Sequence, residues 1–167
     1  TGPHPTVVLR TPYSKEEGAL IGEFFARYGY AVVVQDTRGR HRSEGGFYPF
    51  RAEMQDGYDT TAWLRRQPWC NGKIGGFGPS YLGLTQWALA VNNPNITSVA
   101  PTFIGGRLHD VIYSGGAFSE LTYLHWSLSS AGRYGDLHAV NHIRKGFEHL
   151  PLVDADDAAH ADIGFFN

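Results

Sequence analysis

Apolar residues alternate between two patterns over the first hundred positions of the chain. Short continuous runs, typical of strands covered on both faces, lie at residues 7–9, 30–35, 72–77 and 96–100. Apolar positions spaced three and four apart, typical of helices, lie at residues 16–28, 54–66 and 81–91. Strands and helices that alternate at this spacing imply right-handed crossovers. We therefore predict an α/β fold, with a parallel sheet and helices on both of its faces.

Large apolar side chains within these elements mark the expected core. The helix at residues 16–28 carries its apolar side chains on one face: Leu20, Ile21, Phe24, Phe25 and Tyr28. Trp69 and Trp87 are two further candidates, because aromatic residues in such elements usually pack. We expect both tryptophans to lie in the core rather than to bind a substrate.

The amino-acid composition of the chain changes after Pro101. Residues 106–150 hold five of the eight histidines, many Ser and Gly residues, and few β-branched ones. Short helices are expected there, for example at residues 117–130 and 136–148. We therefore divide the chain into a sheet domain at residues 1–106 and a helical insertion over the sheet at residues 107–167.

Composition and charge narrow the class of function. The chain has 167 residues, enough for one domain with a sizeable core, and a formal net charge of -2. A net charge this close to zero gives no indication of a basic surface that would bind nucleic acid. No apolar stretch is long enough for a membrane helix. The single Cys70 excludes an internal disulfide and a cysteine-based zinc site.

Both ends of the chain look cut. It opens at Thr1-Gly2-Pro3, without an initiator methionine or a targeting segment. It closes on the apolar stretch Ile163-Gly164-Phe165-Phe166-Asn167, without a charged tail. We expect a fragment of a longer protein, whose compartment the sequence leaves open.

The segment most informative about chemistry is Gly78-x-Ser80-x-x-Gly83, between a predicted strand and a predicted helix. A serine at such a sharp turn presents its Oγ above the sheet, and the next backbone N–H can meet a developing oxyanion. The spacing differs from the common G-x-S-x-G pattern, since residue 82 is Leu. The pattern alone fits equally well a plain Gly/Pro turn in which Ser80 caps the helix. Neither a dinucleotide-binding fingerprint nor a phosphate-binding loop occurs.

Four motifs match the pattern of a known protein family in their order and spacing. They are Tyr30-Ala31-Val32-Val33-Val34-Gln35-Asp36-Thr37-Arg38-Gly39, Ser43-Glu44-Gly45, Trp69-Cys70-Asn71-Gly72-Lys73-Ile74-Gly75 and Gly78-Pro79-Ser80-Tyr81-Leu82-Gly83-Leu84-Thr85-Gln86-Trp87. Together they closely resemble the X-Pro dipeptidyl-peptidase-like serine hydrolases, over residues 3–120 and more loosely to the end. Several ordered motifs that agree are far more specific than one serine turn, so the resemblance favours a nucleophile at Ser80.

The resemblance implies the α/β-hydrolase fold, here incomplete, with residues 107–167 as the start of a helical cap. It implies that Ser80 is the nucleophile, that the backbone N–H of Tyr81 forms half of the oxyanion hole, and that the Tyr13 hydroxyl forms the other half. A phenol held by a rigid X-Pro loop is a preorganised donor, which suits that role. The implied partner is a small-molecule ester or amide. No cofactor, metal, nucleic acid or membrane is implied, and homo-oligomer formation stays open.

A serine nucleophile needs a base, and the base needs a carboxylate that orients it. Histidines and aspartates follow Ser80, but none follows a convincing strand, and the resemblance implies that both partners lie well beyond the cap. We therefore expect this chain to lack them. Three functions are weighed: an ester hydrolase acting through an acyl-enzyme, an Xaa-Pro dipeptidyl-peptidase or acylase acting on an amide, and a catalytically silent binding or structural module.

Two other polar pairs are interpreted as structural. Asp36 and Arg38 follow a strand at the sheet edge where active sites gather, but an ion pair that orders the 36–47 loop is the simpler explanation. His138 and His142 are four apart on a predicted helix, a spacing that can bind metal. Without a third ligand a solvated helix face is favoured, and no metal site is predicted.

Overall fold

The computed structural model describes residues 2–166. They form two compact units, one that ends at Ile104 and one that begins at Gly105. Each unit has its own hydrophobic clusters, formed by residues of that unit alone. The interpretation of the second unit as an insertion over the sheet stays a prediction.

A four-stranded parallel sheet forms the centre of the first unit, as the sequence predicts. The strands are β1 (His4–Thr11), β2 (Ala31–Asp36), β3 (Cys70–Pro79) and β4 (Ser98–Thr102), in the order β2-β1-β3-β4. In the register of β1 with β2, Thr11 lies opposite Asp36. In the register of β3 with β4, Pro79 lies opposite Thr102. The loops that follow these strands therefore begin at one edge of the sheet.

Three helices connect the strands. They are α1 (Ala19–Arg27), α2 (Glu53–Leu64) and α3 (Tyr81–Ala90). A 3-10 turn at Lys15–Gly18 precedes α1, and the Ser14 side chain caps that turn by accepting a hydrogen bond from the Glu16 N–H. The helix predicted at residues 16–28 therefore starts as a tighter turn before α1 begins.

The helices cover both faces of the sheet. Successive side chains of β1 point to opposite faces, so neighbouring residues of this strand pack against different helices. Val8 packs in a cluster with Leu89 of α3 on one face. Leu9 packs on the other face in a cluster with Phe25 of α1. This arrangement confirms the predicted α/β architecture.

The apolar face of α1 is buried only in part, and one expectation about the core, that for Trp87, is wrong. Of the apolar residues on α1, only Ile21 and Phe25 pack against the sheet. The other three are exposed: Leu20, Phe24 and Tyr28. A helix that faces a sheet along one stripe buries residues four apart and leaves the neighbouring stripe outside. Trp87 is likewise 45% exposed, whereas Trp69 packs against the core as expected.

The second unit consists of short helices and a small hairpin. Its elements are α4 (Leu108–Ile112), the antiparallel pair β5 (Tyr113–Ser114) and β6 (Ala117–Phe118), α5 (Glu120–Ser129), α6 (Leu137–Asn141), α7 (Ile143–Phe147), a 3-10 turn (Leu152–Asp154) and α8 (Ala155–Ala158). Leu124 and Leu128 of α5 are fully buried in its core. The helix predicted at 136–148 is two helices, since the backbone leaves the helical conformation at His142. Within residues 2–166, no helix combines the length and apolarity needed to cross a membrane.

Candidate active site

Ser80 is the single residue between β3 and α3, at the sharp strand-to-helix turn that the sequence predicts. Its backbone has φ 53° and ψ -124°. A serine in such a sparsely populated conformation is strained by about 1–3 kcal/mol. Two backbone hydrogen bonds hold it there: the Ser80 N–H donates to the Thr102 carbonyl at 3.0 Å, and the Leu84 N–H donates to the Ser80 carbonyl at 3.0 Å. The strain is therefore maintained by β4 on one side and by α3 on the other.

Two glycines let α3 approach the strands closely enough to form this turn. A Cβ at Gly78 would lie 2.3 Å from the Leu82 Cβ, and one at Gly83 would lie 2.9 Å from the Thr102 carbonyl oxygen. No side chain fits into contacts this short, which is why glycine is needed at both positions. Gly83 lies three residues after Ser80, at the position of α3 that faces β4.

The Ser80 side chain is exposed at the N-terminus of α3 and makes no capping hydrogen bond with the helix. Ser80 therefore occupies the N-cap position of α3, but its side chain does not supply the capping hydrogen bond. A helix N-terminus carries partial positive charge, and its first N–H groups have no partner within the helix. These groups suit an oxygen that gains negative charge on a group whose carbon is bonded to the Ser80 Oγ.

Tyr81, the first residue of α3, directs its phenol into the body of the first unit. The hydroxyl donates a hydrogen bond to Glu53 Oε1 at 2.8 Å and accepts one from the Phe50 N–H at 3.1 Å. The ring stacks on Phe50 with centroids 4.9 Å apart. Burial, and then the neighbouring Glu53, raises the pKa of this phenol, so Tyr81 stays protonated as a hydrogen-bond donor.

Arg10 and Glu53 continue the network behind Tyr81. Both residues are almost fully buried, and Arg10 Nη1 lies 2.9 Å from Glu53 Oε2. Arg10 also donates hydrogen bonds to the Glu53 carbonyl at 2.8 Å and to Gln35 Oε1 at 3.1 Å. Burial raises the pKa of the Glu53 carboxyl, and the Arg10 charge opposes that effect. The sequence alone did not point to this network; its one visible signal is an arginine at the end of the apolar run of β1.

Tyr13 lies on the Thr11-Pro12-Tyr13 loop after β1 and is half-buried. Its ring meets the Tyr81 ring edge-on, with centroids 6.5 Å apart. The Arg40 Nε donates to the Pro12 carbonyl at 2.8 Å, and the Tyr13 N–H donates to Thr11 Oγ1 at 3.1 Å. The structure therefore brings together two of the three residues predicted for the site, Tyr13 and Tyr81, and places Ser80 next to Tyr81 in the chain.

The expected ion pair between Asp36 and Arg38 does not form. Asp36 is buried and accepts hydrogen bonds from the backbone N–H groups of Lys15 at 2.7 Å and Arg42 at 3.4 Å. Arg38 instead binds the carboxylate of Asp56 on α2. Asp36 therefore binds backbone donors of the turn before α1 and of the 36–47 loop, whereas Arg38 pairs with Asp56.

A histidine cluster occupies the second unit. His142 lies between His138 and His160, with ring centroids 4.4 Å and 4.8 Å away, and Lys145 Nζ lies 2.8 Å from His160 Nε2. Within residues 2–166, no three His, Cys, Asp or Glu side chains are arranged to hold a metal ion. The cluster therefore brings three imidazole rings and one ammonium group together.

This cluster predicts acid sensitivity of the second unit. The Lys145 ammonium, aided by His142 and His138, lowers the pKa of His160 below its ordinary value of 6.5. The unfolded chain then binds the proton more readily than the folded one, so stability should fall as the pH drops below that value and should be unaffected above it. Thermal unfolding at pH 7.5 and about pH 5.5 should show a smaller loss in His160→Gln than in the wild type. Equal losses in the two proteins would contradict this account.

Comparison with known proteins places these features in a family context. The family described as X-Pro dipeptidyl-peptidase (S15 family) matches residues 1–156. The cocaine esterase of Rhodococcus sp. (strain MB1 Bresler) is 40% identical over 135 residues, which cover 75% of this chain and 24% of that protein. A putative serine esterase of Mycobacterium bovis is 34% identical over 135 residues, which cover 77% of this chain and 21% of that protein. The chain thus spans about a quarter or less of the length of these relatives.

The fold has a counterpart among solved structures. An α-amino acid ester hydrolase superposes with a TM-score of 0.71 at 24% identity, covering 95% of this chain and 31% of that one. The likeness confirms the predicted α/β-hydrolase fold.

Proposed function

The chain belongs to the X-Pro dipeptidyl-peptidase (S15) family, and we propose that it carries the nucleophile and the oxyanion hole of a serine hydrolase that cleaves esters. The observation that carries the proposal is the strained backbone of Ser80 at the β3–α3 turn, with its side chain exposed. Such strain persists where a function depends on it. The names of the two relatives, an esterase and a putative serine esterase, support an ester as the substrate class.

The proposed reaction uses the geometry of this turn. Ser80 Oγ attacks the ester carbonyl carbon while its proton passes to a base, and the carbonyl oxygen becomes an oxyanion. The Tyr81 N–H and the Tyr13 hydroxyl donate hydrogen bonds to that oxyanion. Its collapse expels the alcohol, which takes the proton from the base, and leaves an acyl group on Ser80. Water then releases the acid by the same sequence of steps.

The base and its orienting carboxylate form the second part of the proposal. Every histidine that follows Ser80 in this chain belongs to the second unit, on short helices or turns rather than directly after a strand of the parallel sheet. In α/β-hydrolases the acid and the base follow later strands of that sheet. We therefore expect the longer protein to supply both from sequence outside these 167 residues.

Active-site labelling with a fluorophosphonate tests the proposal, because the probe reacts with a serine only when a base activates it. We expect the longer protein to be labelled at one residue, Ser80, located by peptide mass, and Ser80→Ala to remain unlabelled. The 167-residue chain, if folded by circular dichroism, should not react. Labelling of the short chain at Ser80 would support the nucleophile but overturn the location of the base. A longer protein that stays unlabelled would overturn the proposed function and favour a silent binding module.

The substrate class is tested by a separate measurement of hydrolysis rates. A panel of acyl esters, amino acid esters and Xaa-Pro amides separates the proposed esterase from a peptidase or acylase. We expect the acyl and amino acid esters to give the higher kcat/KM. Faster turnover of the Xaa-Pro amides would assign the same nucleophile to peptide hydrolysis.

A further inference from the structure

We infer that Glu53 is a positioning residue of the oxyanion hole, which acts through the Tyr81 phenol to fix the two donors, Tyr81 N–H and Tyr13 hydroxyl. The inference rests on the proposed function, since it concerns the same site. Glu53 contacts Tyr81 and Arg10 rather than the nucleophile. Its role is to hold the residue that lies next to the nucleophile.

The two oxygens of the Glu53 carboxylate face different residues, with a hydrogen bond at Oε1 and an ion-pair contact at Oε2. Oε1 accepts the Tyr81 hydroxyl at 2.8 Å, and Oε2 lies 2.9 Å from Arg10 Nη1. The same Nη1 also donates to the Glu53 backbone carbonyl at 2.8 Å, so the first residue of α2 is attached to the end of β1 at two points. Glu53 is 4% exposed and has no room to exchange these partners for water. The carboxylate is therefore a fixed acceptor for the phenol.

A fixed phenol determines the placement of the whole Tyr81 residue. The side chain has only two torsions, and its ring is held between the stacked Phe50 and the edge-on Tyr13. Its backbone begins α3 directly after the strained Ser80. Tyr81 is thus restrained at both ends, at the phenol by Glu53 and at the backbone by the turn. Removal of the acceptor takes away one of the two hydrogen bonds of the phenol and leaves only the one from the Phe50 N–H, which loosens this end and lets the Tyr81 N–H move relative to the Ser80 Oγ.

The second donor depends on the same contact. Tyr13 packs edge-on against the Tyr81 ring at an interplanar angle of 75°, so Tyr81 forms part of the support of the Tyr13 ring. Oxyanion donors act only within about 2.7–3.1 Å of the oxyanion. Misplacement of catalytic groups by about 1 Å can lower a rate about a hundredfold. A loosened Tyr81 should therefore weaken both donors at once, mainly in the transition state, which affects kcat more than KM.

Two substitutions in the longer protein test the inference. Tyr81→Phe removes the phenol and leaves the Glu53–Arg10 pair in place. Glu53→Gln replaces one carboxylate oxygen by an NH2 group, so either Tyr81 or Arg10 then faces a donor instead of an acceptor. We expect each variant to lower kcat by roughly ten- to a hundredfold with little change in KM. Asp59→Asn, the same kind of change at an exposed position of α2, serves as the control and should match the wild type.

The double variant Glu53→Gln/Tyr81→Phe separates positioning from stability. If Glu53 acts through Tyr81, the double variant should have a kcat no lower than that of the worse single variant. Wild-type kcat in folded Glu53→Gln and Tyr81→Phe, with Ser80 still labelled by the fluorophosphonate, would overturn this inference alone. A wild-type protein that is not labelled at Ser80 would overturn the proposed function and the inference with it. If Glu53→Gln does not fold, Tyr81→Phe decides the question, because it preserves the buried ion pair.

Discussion

Replacement of Ser80 by alanine is expected to lower ester turnover by the longer protein by about 10⁶-fold. The change removes only the Oγ, which makes no capping hydrogen bond with α3. The two backbone hydrogen bonds that hold the turn, to Thr102 and from Leu84, do not involve that atom. The variant should therefore fold like the wild type, and the loss should appear in kcat. Initial rates with a chromogenic ester, corrected for spontaneous hydrolysis, measure it.

Glycine at the same position provides a matched control for the strained backbone. Ser80→Gly also lacks the Oγ, so it should be as inactive as Ser80→Ala. At φ 53° only glycine is free of steric strain, and Ser80→Gly should be about 1 kcal/mol or more stable to unfolding than Ser80→Ala. Equal stability of the two variants would mean that the backbone at Ser80 stores no strain. Residual activity within about tenfold of the wild type would exclude Ser80 as the nucleophile.

The serine turn was predictable because its determinants are local. Glycines two residues before and three residues after a serine, between an apolar run and a helical period, already indicate a close strand-to-helix approach. The structure confirms the reason, since a Cβ at Gly78 or Gly83 would overlap with atoms of α3 or β4. The parallel sheet was predictable on similar grounds, because each strand and helix has its own period.

The network behind the turn was not predictable because its members are far apart in the chain. Arg10 and Glu53 are 43 positions apart, and Glu53 and Tyr81 are 28 positions apart. A charged residue at the end of a strand or in the first turn of a helix is ordinarily solvated, so neither position suggests burial. Asp36 and Arg38 show the opposite error. Their closeness in sequence suggested an ion pair, but the fold gives each of them a nearer partner.

Apolar spacing likewise does not reveal what covers an apolar residue. Leu20 of α1 is 79% exposed although it continues the same pattern as the packed Ile21. The pattern defines a helix face, whereas burial depends on which stripe of that face meets the sheet. The same distinction explains why Trp69 packs and Trp87 does not.

Replacement of Arg10 by methionine is expected to lower the free energy of unfolding by about 3–5 kcal/mol, a large share of the roughly 5–15 kcal/mol that a domain possesses. Methionine fills much of the same volume but leaves the buried Glu53 carboxylate without its cation. It also removes the donors to the Glu53 carbonyl and to Gln35. Urea unfolding followed by tryptophan fluorescence measures the change, since three of the four tryptophans lie in the first unit.

The pH dependence of that loss identifies its cause. Burial already raises the pKa of Glu53, and Arg10 is the main opposing charge, so the pKa rises further in Arg10→Met. A carboxyl whose folded pKa exceeds its unfolded value binds its proton more tightly in the folded state, so the variant should regain stability relative to the wild type as the pH falls through that raised pKa. Arg38→Met, which removes an exposed partner of Asp56, is the control and should leave the urea midpoint nearly unchanged. A loss in Arg10→Met that is no larger than in Arg38→Met, or that is independent of pH, would mean that Glu53 does not depend on Arg10 for its charge.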